Sequence, residues 1–116
     1  MARPQRSRRI CHMPAFNTFV PSHSPSPDEA GGADVIILTV DEFEVLRLVD
    51  FEGITHSECA KQMNISRTTV TEICESARKK VAASLVLGKE LHISGGSWEL
   101  CSGGRSDCIK SPCDRT

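Results

Sequence analysis

A short polar run carries most of the side chains that could contact a nucleic acid. The candidate residues between positions 66 and 79 are Ser66, Arg67, Thr68, Thr71, Glu72, Glu75, Arg78 and Lys79. On a helix, threonines are short enough to reach base edges or a thymine methyl, and a glutamate can accept from cytosine N4. The serine and the amides after it suit a phosphate, and the basic residues at the far end suit the DNA backbone. The run therefore predicts contact with double-stranded DNA.

A second set of basic groups lies at the start of the chain. The opening MARPQRSRRI contains Arg6, Arg8 and Arg9, and an arginine arm in a minor groove is a known companion of DNA-binding domains. A solvated tail is the alternative.

The charge of the chain is unevenly distributed, although the net charge is only -1. Nine acids and one base in residues 28–58 give -8, and thirteen bases and six acids elsewhere give +7. Because salt screens charge beyond about 8–10 Å, we expect phosphate to dock at the basic regions.

Four cysteines outside the apolar runs could bind a metal. Cys101, Cys108 and Cys113 lie near the end of the chain, and Cys11 and His12 follow the arginine cluster. Three thiolates with Cys11 or His12 would make four soft ligands, which suit zinc or an iron–sulfur cluster. The spacings are not the paired CxxC of a zinc ribbon. The alternative is a tail with incidental or redox-reactive thiols.

Three predicted helices position these groups, and each has a start signal. Thr39 with Glu42 and Thr55 with Glu58 fit capping boxes, and Ser66 fits an N-cap. The first helix is predicted to turn Phe43, Leu46 and Val49 inward and to stop at Gly53. The inward faces of the other two are Cys59, Ala60 and Met63, then Val70, Ile73, Cys74, Ala77 and Val81. Gly88 is predicted to end the third helix.

The second and third of these helices fit a helix-turn-helix. A close crossing needs a small residue on the first helix, and Ala60 supplies it. The turn needs a residue that tolerates the left-handed region, which Asn64 does. Ile65 provides an apolar wedge. The third helix would then enter a major groove from about Arg67.

The rest of the chain is expected to add small elements and tails. Residues 1–34 are predicted to be a basic arm and a Pro/Ser/Gly-rich linker, and residues 35–38 a short strand or simply the start of the core. Residues 35–88 form the predicted DNA-binding domain. Residues 89–100 are predicted to form a β-hairpin around Gly95-Gly96, and residues 101–116 a cysteine-containing tail.

The edge of the predicted hairpin, with Ile93 and Trp98, could pair with a second copy to form a homodimer. The predicted fold class is mainly α: a helix-turn-helix three-helix core, a small C-terminal hairpin and flexible tails.

The central segment resembles known DNA-binding helices. LTVDEFEVLRLVDFEGITHSECAKQMNISRTTVTEICESARKKV is similar to the helix-turn-helix of sigma-factor region four and of LuxR-type regulators. ARPQRSRRICHMP, LTVDEFEVLRLVDFEG and SARKKVAASLVLGKELHISGG resemble uncharacterised protein family 0251 (domain of unknown function 134), described as predicted DNA-binding proteins. Members often have a further cysteine where this chain has Ser7. The resemblance implies the fold and DNA binding, and no target sequence.

Other function classes are less well supported. The chain has no Gly-rich phosphate loop, nucleophile elbow or HExxH, so no enzyme and no small-molecule substrate is expected. Asp41, Glu42 and Glu44 are expected on an exposed helix face. A basic start without an apolar run, and no apolar stretch of about 20 residues, predict no membrane span and a cytoplasmic location.

The predicted function is sequence-specific DNA binding by a transcriptional regulator. The alternatives are a protein-interaction module on the same helical fold and a metal-binding adaptor that acts through its tail. An interaction module would expose more apolar area on the third helix.

Overall fold

The computed structural model describes residues 8–22 and 35–101. These residues are mainly helical with small sheets, which confirms the predicted class at that level. The elements, in chain order, are β1 (Arg8–Ile10), β2 (Thr18–Phe19), β3 (Ile36–Leu38), α1 (Val40–Val45), a π-helical turn (Leu46–Phe51), α2 (His56–Met63), α3 (Arg67–Leu87), β4 (Leu91–Ile93) and β5 (Trp98–Leu100). No helix in the described residues is long and apolar enough to cross a membrane.

The helix ends follow the predicted capping residues. The Thr39 hydroxyl accepts from the Glu42 amide and the Glu42 carboxylate accepts from the Thr39 amide, and Thr55 and Glu58 repeat this capping box at α2. The α3 helix begins at the N-cap Ser66 and ends at Gly88, which is left-handed at φ 64°. These bonds satisfy amides and carbonyls that have no partner within the helix. The predicted starts and ends are confirmed.

The predicted inward face of α1 is correct only in part, because its three members pack against the core but are not its most buried residues. Val45 and Leu48 are completely buried, whereas Phe43, Leu46 and Val49 are only partly buried. The π-helical turn after α1 is wider than an α-helical one, so the apolar stripe does not continue at the α-helical period.

The acidic residues of α1 were expected to be exposed, but all three are buried. Each is paired with a basic residue: Asp41 with Arg8 at 2.7 Å, Glu42 with Lys80 at 2.7 Å, and Glu44 with Arg47 at 2.8 Å. A carboxylate can be buried at an acceptable cost when a partner and hydrogen bonds replace its water.

The predicted C-terminal hairpin does not form. Strands β4 and β5 flank Gly95-Gly96 as expected, but β4 lies between β2 and β3, and β5 pairs in parallel with β1. Both edges of β4 are therefore occupied. The two glycines instead cross the start of α1, where the Gly95 carbonyl accepts from the Val40 amide at 3.1 Å.

Part of the predicted N-terminal arm belongs to the body of the protein. Ile10 on β1 is 1% exposed and lies in the same apolar cluster as Leu38, Met63 and Val70. Strand β1 packs against α1 and α2. The buried Ile10 explains why this segment is held in place, since leaving such a side chain in water would cost about 1.5–3 kcal/mol. Residues 1–7 and the tail after residue 101 lie outside the described residues.

Candidate nucleic-acid interface

A three-residue turn joins α2 to α3. Asn64 has left-handed angles, φ 59° and ψ 47°, as predicted, and its amide donates to the Ala60 and Lys61 carbonyls at the end of α2. The Ile65 amide donates to the Ala60 carbonyl at 3.0 Å. Ala60 is buried, as the predicted close approach of the helices requires. The buried members of both helices, Cys59 and Met63 with Val70, Ile73, Cys74 and Ala77, share one apolar cluster.

The polar residues predicted to contact DNA are mostly exposed on α3. Those that are exposed are Ser66, Arg67, Thr68, Glu72, Glu75, Arg78 and Lys79. At 3.6 residues per turn, Thr68, Glu72, Glu75 and Lys79 form a ridge opposite the buried face. We call these four residues the α3 ridge. The Ser66 hydroxyl accepts from the Thr69 amide at 3.1 Å, which leaves the amides of Arg67 and Thr68 at the exposed helix start.

Thr71 differs from the rest of the predicted set. It is half-buried, its hydroxyl donates to the Arg67 carbonyl at 3.2 Å, and it lies 3.0 Å from His56 Nδ1. His56 is the first residue of α2, so this contact joins the starts of the two helices. Sequence reasoning gave His56 no role. The sequence offered little indication of this contact, because fifteen positions separate His56 from Thr71 and only the crossing of the helices brings them together.

Arg78 contacts the π-helical turn. Its guanidinium donates twice to the Asp50 carboxylate, with Nε at 3.0 Å from Oδ2. The hydrogen bond to Asp50 raises the pKa of Arg78, and the same bond lowers the pKa of Asp50. Both side chains are largely in water, where such a pair contributes about 0–1 kcal/mol. A phosphate would therefore compete with Asp50 at little cost.

The two predicted DNA-binding arginines of the described arm lie beside the body of the protein. Arg9 donates to the Gln62 carbonyl at 2.9 Å and to the Lys61 carbonyl at 3.0 Å. These carbonyls are among the last of α2, where a cation also interacts favourably with the helix dipole. Arg8 is bonded to Asp41. Both arginines thus help to position α1 and α2, and their contact with DNA stays a prediction. Arg6 lies outside the described residues.

The structure brings two of the four predicted metal ligands to one end of a sheet. Cys11 and Cys101 each follow a strand of the parallel β1–β5 pair, one residue after the partners Ile10 and Leu100. Cys11 is half-buried and Cys101 is buried, and Cys11 Sγ accepts from the buried Gln62 at 3.1 Å. Cys108 and Cys113 lie outside the described residues. Within residues 8–22 and 35–101 no group of three or more candidate ligands could hold a metal ion, so the four-ligand site stays a prediction.

The other two described cysteines are core residues, as predicted. Cys59 and Cys74 are buried beneath the helix pair. Burial raises the pKa of the Cys59 thiol to about 12, and burial also raises that of Cys74. A thiol with a raised pKa is a poor nucleophile and a poor metal ligand at neutral pH.

Comparison with known proteins identifies the family. A family model described as "Protein of unknown function DUF134" matches residues 1–101. The chain belongs to this family. A UPF0251 protein of Desulfitobacterium hafniense strain Y51 is 47% identical over 108 residues, which cover 93% of this chain and 83% of that protein. A UPF0251 protein of Methanococcus vannielii is 38% identical over 111 residues, or 96% of this chain and 82% of that protein. No solved structure matches. The resemblance to uncharacterised family 0251 is confirmed.

Proposed function

We propose that this protein is a sequence-specific DNA-binding protein and a transcriptional regulator, with α2, the turn and α3 acting as a helix-turn-helix. The observation that carries the proposal is the polar exposed surface of α3 from Arg67 to Lys79. Every exposed residue of that stretch is a hydroxyl-bearing, acidic or basic residue. A protein-interaction surface would present apolar side chains at this place. We also propose the cytoplasm as its compartment, because Cys59 and Cys74 are free thiols, which are kept reduced there.

The contacts divide the predicted interface into three roles. Thr68 and Glu72 lie on the α3 ridge and are proposed to contact base edges. Arg67, Lys79 and the amides at the start of α3 are proposed to contact phosphates, which position the helix without specifying sequence. Thr71 and His56 bond to each other, so we assign them to positioning α3 against α2.

Arg9 supports this interface from behind. Its bonds to the last carbonyls of α2 lie next to the turn that sets the direction of α3. The N-terminal strand is therefore proposed to fix the angle between the helices, and the DNA-binding unit extends beyond the helix pair to include β1.

A binding selection on random double-stranded DNA tests the proposal, with the full chain under reducing conditions. We expect an enriched sequence for the wild-type protein. In Thr68→Ala/Glu72→Ala the sequence preference should flatten while nonspecific binding persists, because base contacts specify and phosphate contacts do not. Thr18→Ala, a change at an exposed threonine on β2, should leave the preference unchanged. No enrichment by the wild-type protein would overturn the proposal.

The salt dependence of binding tests the phosphate contacts in the same experiment. Lys79→Ala should weaken binding to all sequences alike and reduce the slope of log K against log salt by about one unit. Lys89→Ala removes an equal charge beyond the end of α3 and should leave the slope unchanged. Equal effects of the two variants would mean that net charge alone determines binding.

A further inference from the structure

The phenylalanines of this chain gather on one surface. The sequence has four phenylalanines, one tryptophan and no tyrosine, and no phenylalanine belongs to the fully buried core. Phe16, Phe19, Phe43 and Phe51 all line one or both of two neighbouring cavities. Aromatic residues usually dominate cores and interfaces, so a face that collects all of them outside an aliphatic core needs an explanation.

The two cavities form one continuous surface. The larger, of about 710 Å³, lies between the π-helical turn, the last turns of α3 and the β2–β4–β3 sheet, and the smaller is about 350 Å³. They share Phe19, Phe43, Arg47 and Phe51 as walls. Phe51 is 82% exposed, Leu85 79% and Phe16 75%. We call the four phenylalanines and Leu85 the phenylalanine face.

We propose that the phenylalanine face binds a second copy of this chain. The exposed parts of Phe16, Phe19, Phe51 and Leu85 present roughly 600 Å² of apolar surface, given that an aromatic side chain buries about 150–250 Å². A standard interface takes about 800 Å² from each partner, and about 65% of a homodimer interface is apolar. The phenylalanine face therefore has the apolar area that a stable homodimer needs.

The charges around the face suit an identical partner. Like charges repel across a two-fold axis, because each residue near the axis meets its own copy. Here the charged residues of the larger cavity are paired within the chain: Arg47 with Glu44 and Glu52, and Asp50 with Arg78. The face thus presents apolar side chains inside a rim whose charges are already balanced.

A small ligand fits this surface less well than a second copy does. Ligand sites bury most of the molecule within their walls, whereas Phe51, Leu85 and Phe16 are each three-quarters exposed or more.

The hairpin edge that the sequence predicted as a dimer contact is not available for pairing. Both edges of β4 are occupied within the chain, and Ile93 is buried. A dimer is therefore expected to form through the phenylalanine face and not through that hairpin.

The position of the face leaves the proposed DNA surface open. Leu85 lies on the last turns of α3, six residues or about 9 Å along the helix from Lys79, the nearest residue of the α3 ridge, and about 120° around the helix from it. The inference stands without the proposed function, since it concerns association of the protein alone. A monomer would leave the DNA proposal intact, and a dimer that does not bind DNA would leave this inference intact.

Sedimentation equilibrium of the full chain across the micromolar range tests the proposal, in reducing buffer so that disulfides contribute nothing. We expect a monomer–dimer equilibrium for the wild-type protein. Phe51→Glu and Leu85→Glu should each raise the dissociation constant at least about tenfold, because each change places a charge at a buried anchor in both copies. Circular dichroism and a urea midpoint establish that the variants, both at exposed sites, remain folded.

Val86→Glu is the matched control. Val86 is 81% exposed, follows Leu85 directly and lies about 100° further around α3, on the side of the α3 ridge. It lines neither cavity, so the dissociation constant should not change. A wild-type monomer at every concentration would overturn the proposal, whether or not the protein then binds the apolar dye anilinonaphthalene sulfonate. Equal weakening by Leu85→Glu and Val86→Glu would overturn it as well.

Discussion

The helix pair of residues 55–88 and the N-terminal strand β1 are held by contacts of different range. Each end of α2 and α3 is fixed by a bond between residues three or four positions apart, as in Thr55 with Glu58 and Ser66 with Thr69. The bonds of β1 join distant residues: 33 positions separate Arg8 from Asp41, and 53 separate Arg9 from Gln62. The first region can thus acquire its ends locally, whereas the second forms only when distant segments meet.

Contacts between distant residues also pair part of the acidic charge of the chain. Residues 28–58 are strongly acidic, and three of their carboxylates pair with bases from outside that segment: Asp41 with Arg8, Glu42 with Lys80 and Asp50 with Arg78. Part of the charge polarity in the sequence therefore holds β1 and α3 against α1 and the π-helical turn. Arg67 and Lys79 are exposed on α3 and carry the positive charge that the DNA proposal uses.

The largest expected effect separates a buried pair from an exposed one. Arg8→Ala leaves the Asp41 carboxylate buried without its cation, and we expect the free energy of unfolding to fall by about 3–5 kcal/mol. Urea denaturation followed by circular dichroism measures this loss. If β1 were part of a mobile arm, as the sequence suggested, the loss would be negligible.

Arg78→Ala is the control for that prediction. It removes an arginine that donates twice to its carboxylate, but both partners are largely in water. We expect a loss below about 1 kcal/mol. Equal losses for the two arginines would mean that β1 contributes no more to stability than a surface contact does.

Contact range also decided what the sequence could predict of the fold. Capping residues, the left-handed Asn64 and the buried faces of α2 and α3 depend on neighbours a few positions away. They are confirmed, except that Val81 at the end of the α3 face is only partly buried. The hairpin failed because Gly95-Gly96 permits a turn without choosing the partner of each strand. That choice was made by β1 and β3, which lie 55 or more positions away in register.

Gly96, in the loop before β5, tests how closely that loop packs on α1 and has the next largest expected effect. Gly96 has φ +92°, and a Cβ there would overlap the Asp41 carboxylate and lie 2.8 Å from Thr39 Cβ. Gly96→Ala should cost roughly 2–3 kcal/mol, from the left-handed backbone and the steric overlap together. The midpoint of urea unfolding measures it.

Gly95→Ala separates the two causes. Gly95 also has a positive φ, +73°, but nothing lies within 4 Å of the position of its Cβ. This change should cost only the backbone part, about 1 kcal/mol. If Gly96→Ala lowers the free energy of unfolding no more than Gly95→Ala does, the loop does not pack on α1 as closely as in the structure.

In the candidate site, too, locally determined features were predicted and features that depend on distant contacts were not. The exposed residues of α3 were predicted, because helical periodicity alone assigns them to the outside. The roles of Arg9 and His56 were not, since their partners Gln62 and Thr71 reach them only through the packing of β1 and α2. Phe51 was missed for a related reason: the π-helical turn that exposes it departs from the period on which the prediction relied.

The smallest expected effect comes from a carboxylate that has both a local and two distant partners. Glu42 forms a local capping box with Thr39 and also accepts from Ser76 at 2.6 Å and Lys80 at 2.7 Å. A glutamine can still form the capping box, so Glu42→Gln removes only the charge-dependent contact to α3. We expect a loss of about 1–2 kcal/mol at neutral pH. Glu58→Gln changes the second capping box, where Glu58 bonds only locally, and should cost less than about 0.5 kcal/mol.

The pH dependence of this loss identifies its cause. Burial by itself would raise the pKa of Glu42, but hydrogen bonds from Lys80, Ser76 and Thr39 outweigh burial and hold its pKa below the ordinary value of 4.5. A lowered pKa in the folded state means that the ionised carboxylate stabilises the fold above pH 4.5, and that this stability is lost as the pH falls through the folded pKa. Once Glu42 is protonated it resembles a glutamine, so the wild-type and Glu42→Gln proteins should converge in stability at acid pH. Urea titrations from neutral to acid pH measure the difference. A difference that stays constant with pH would assign the loss to packing, and Glu42 would then act as a local cap alone.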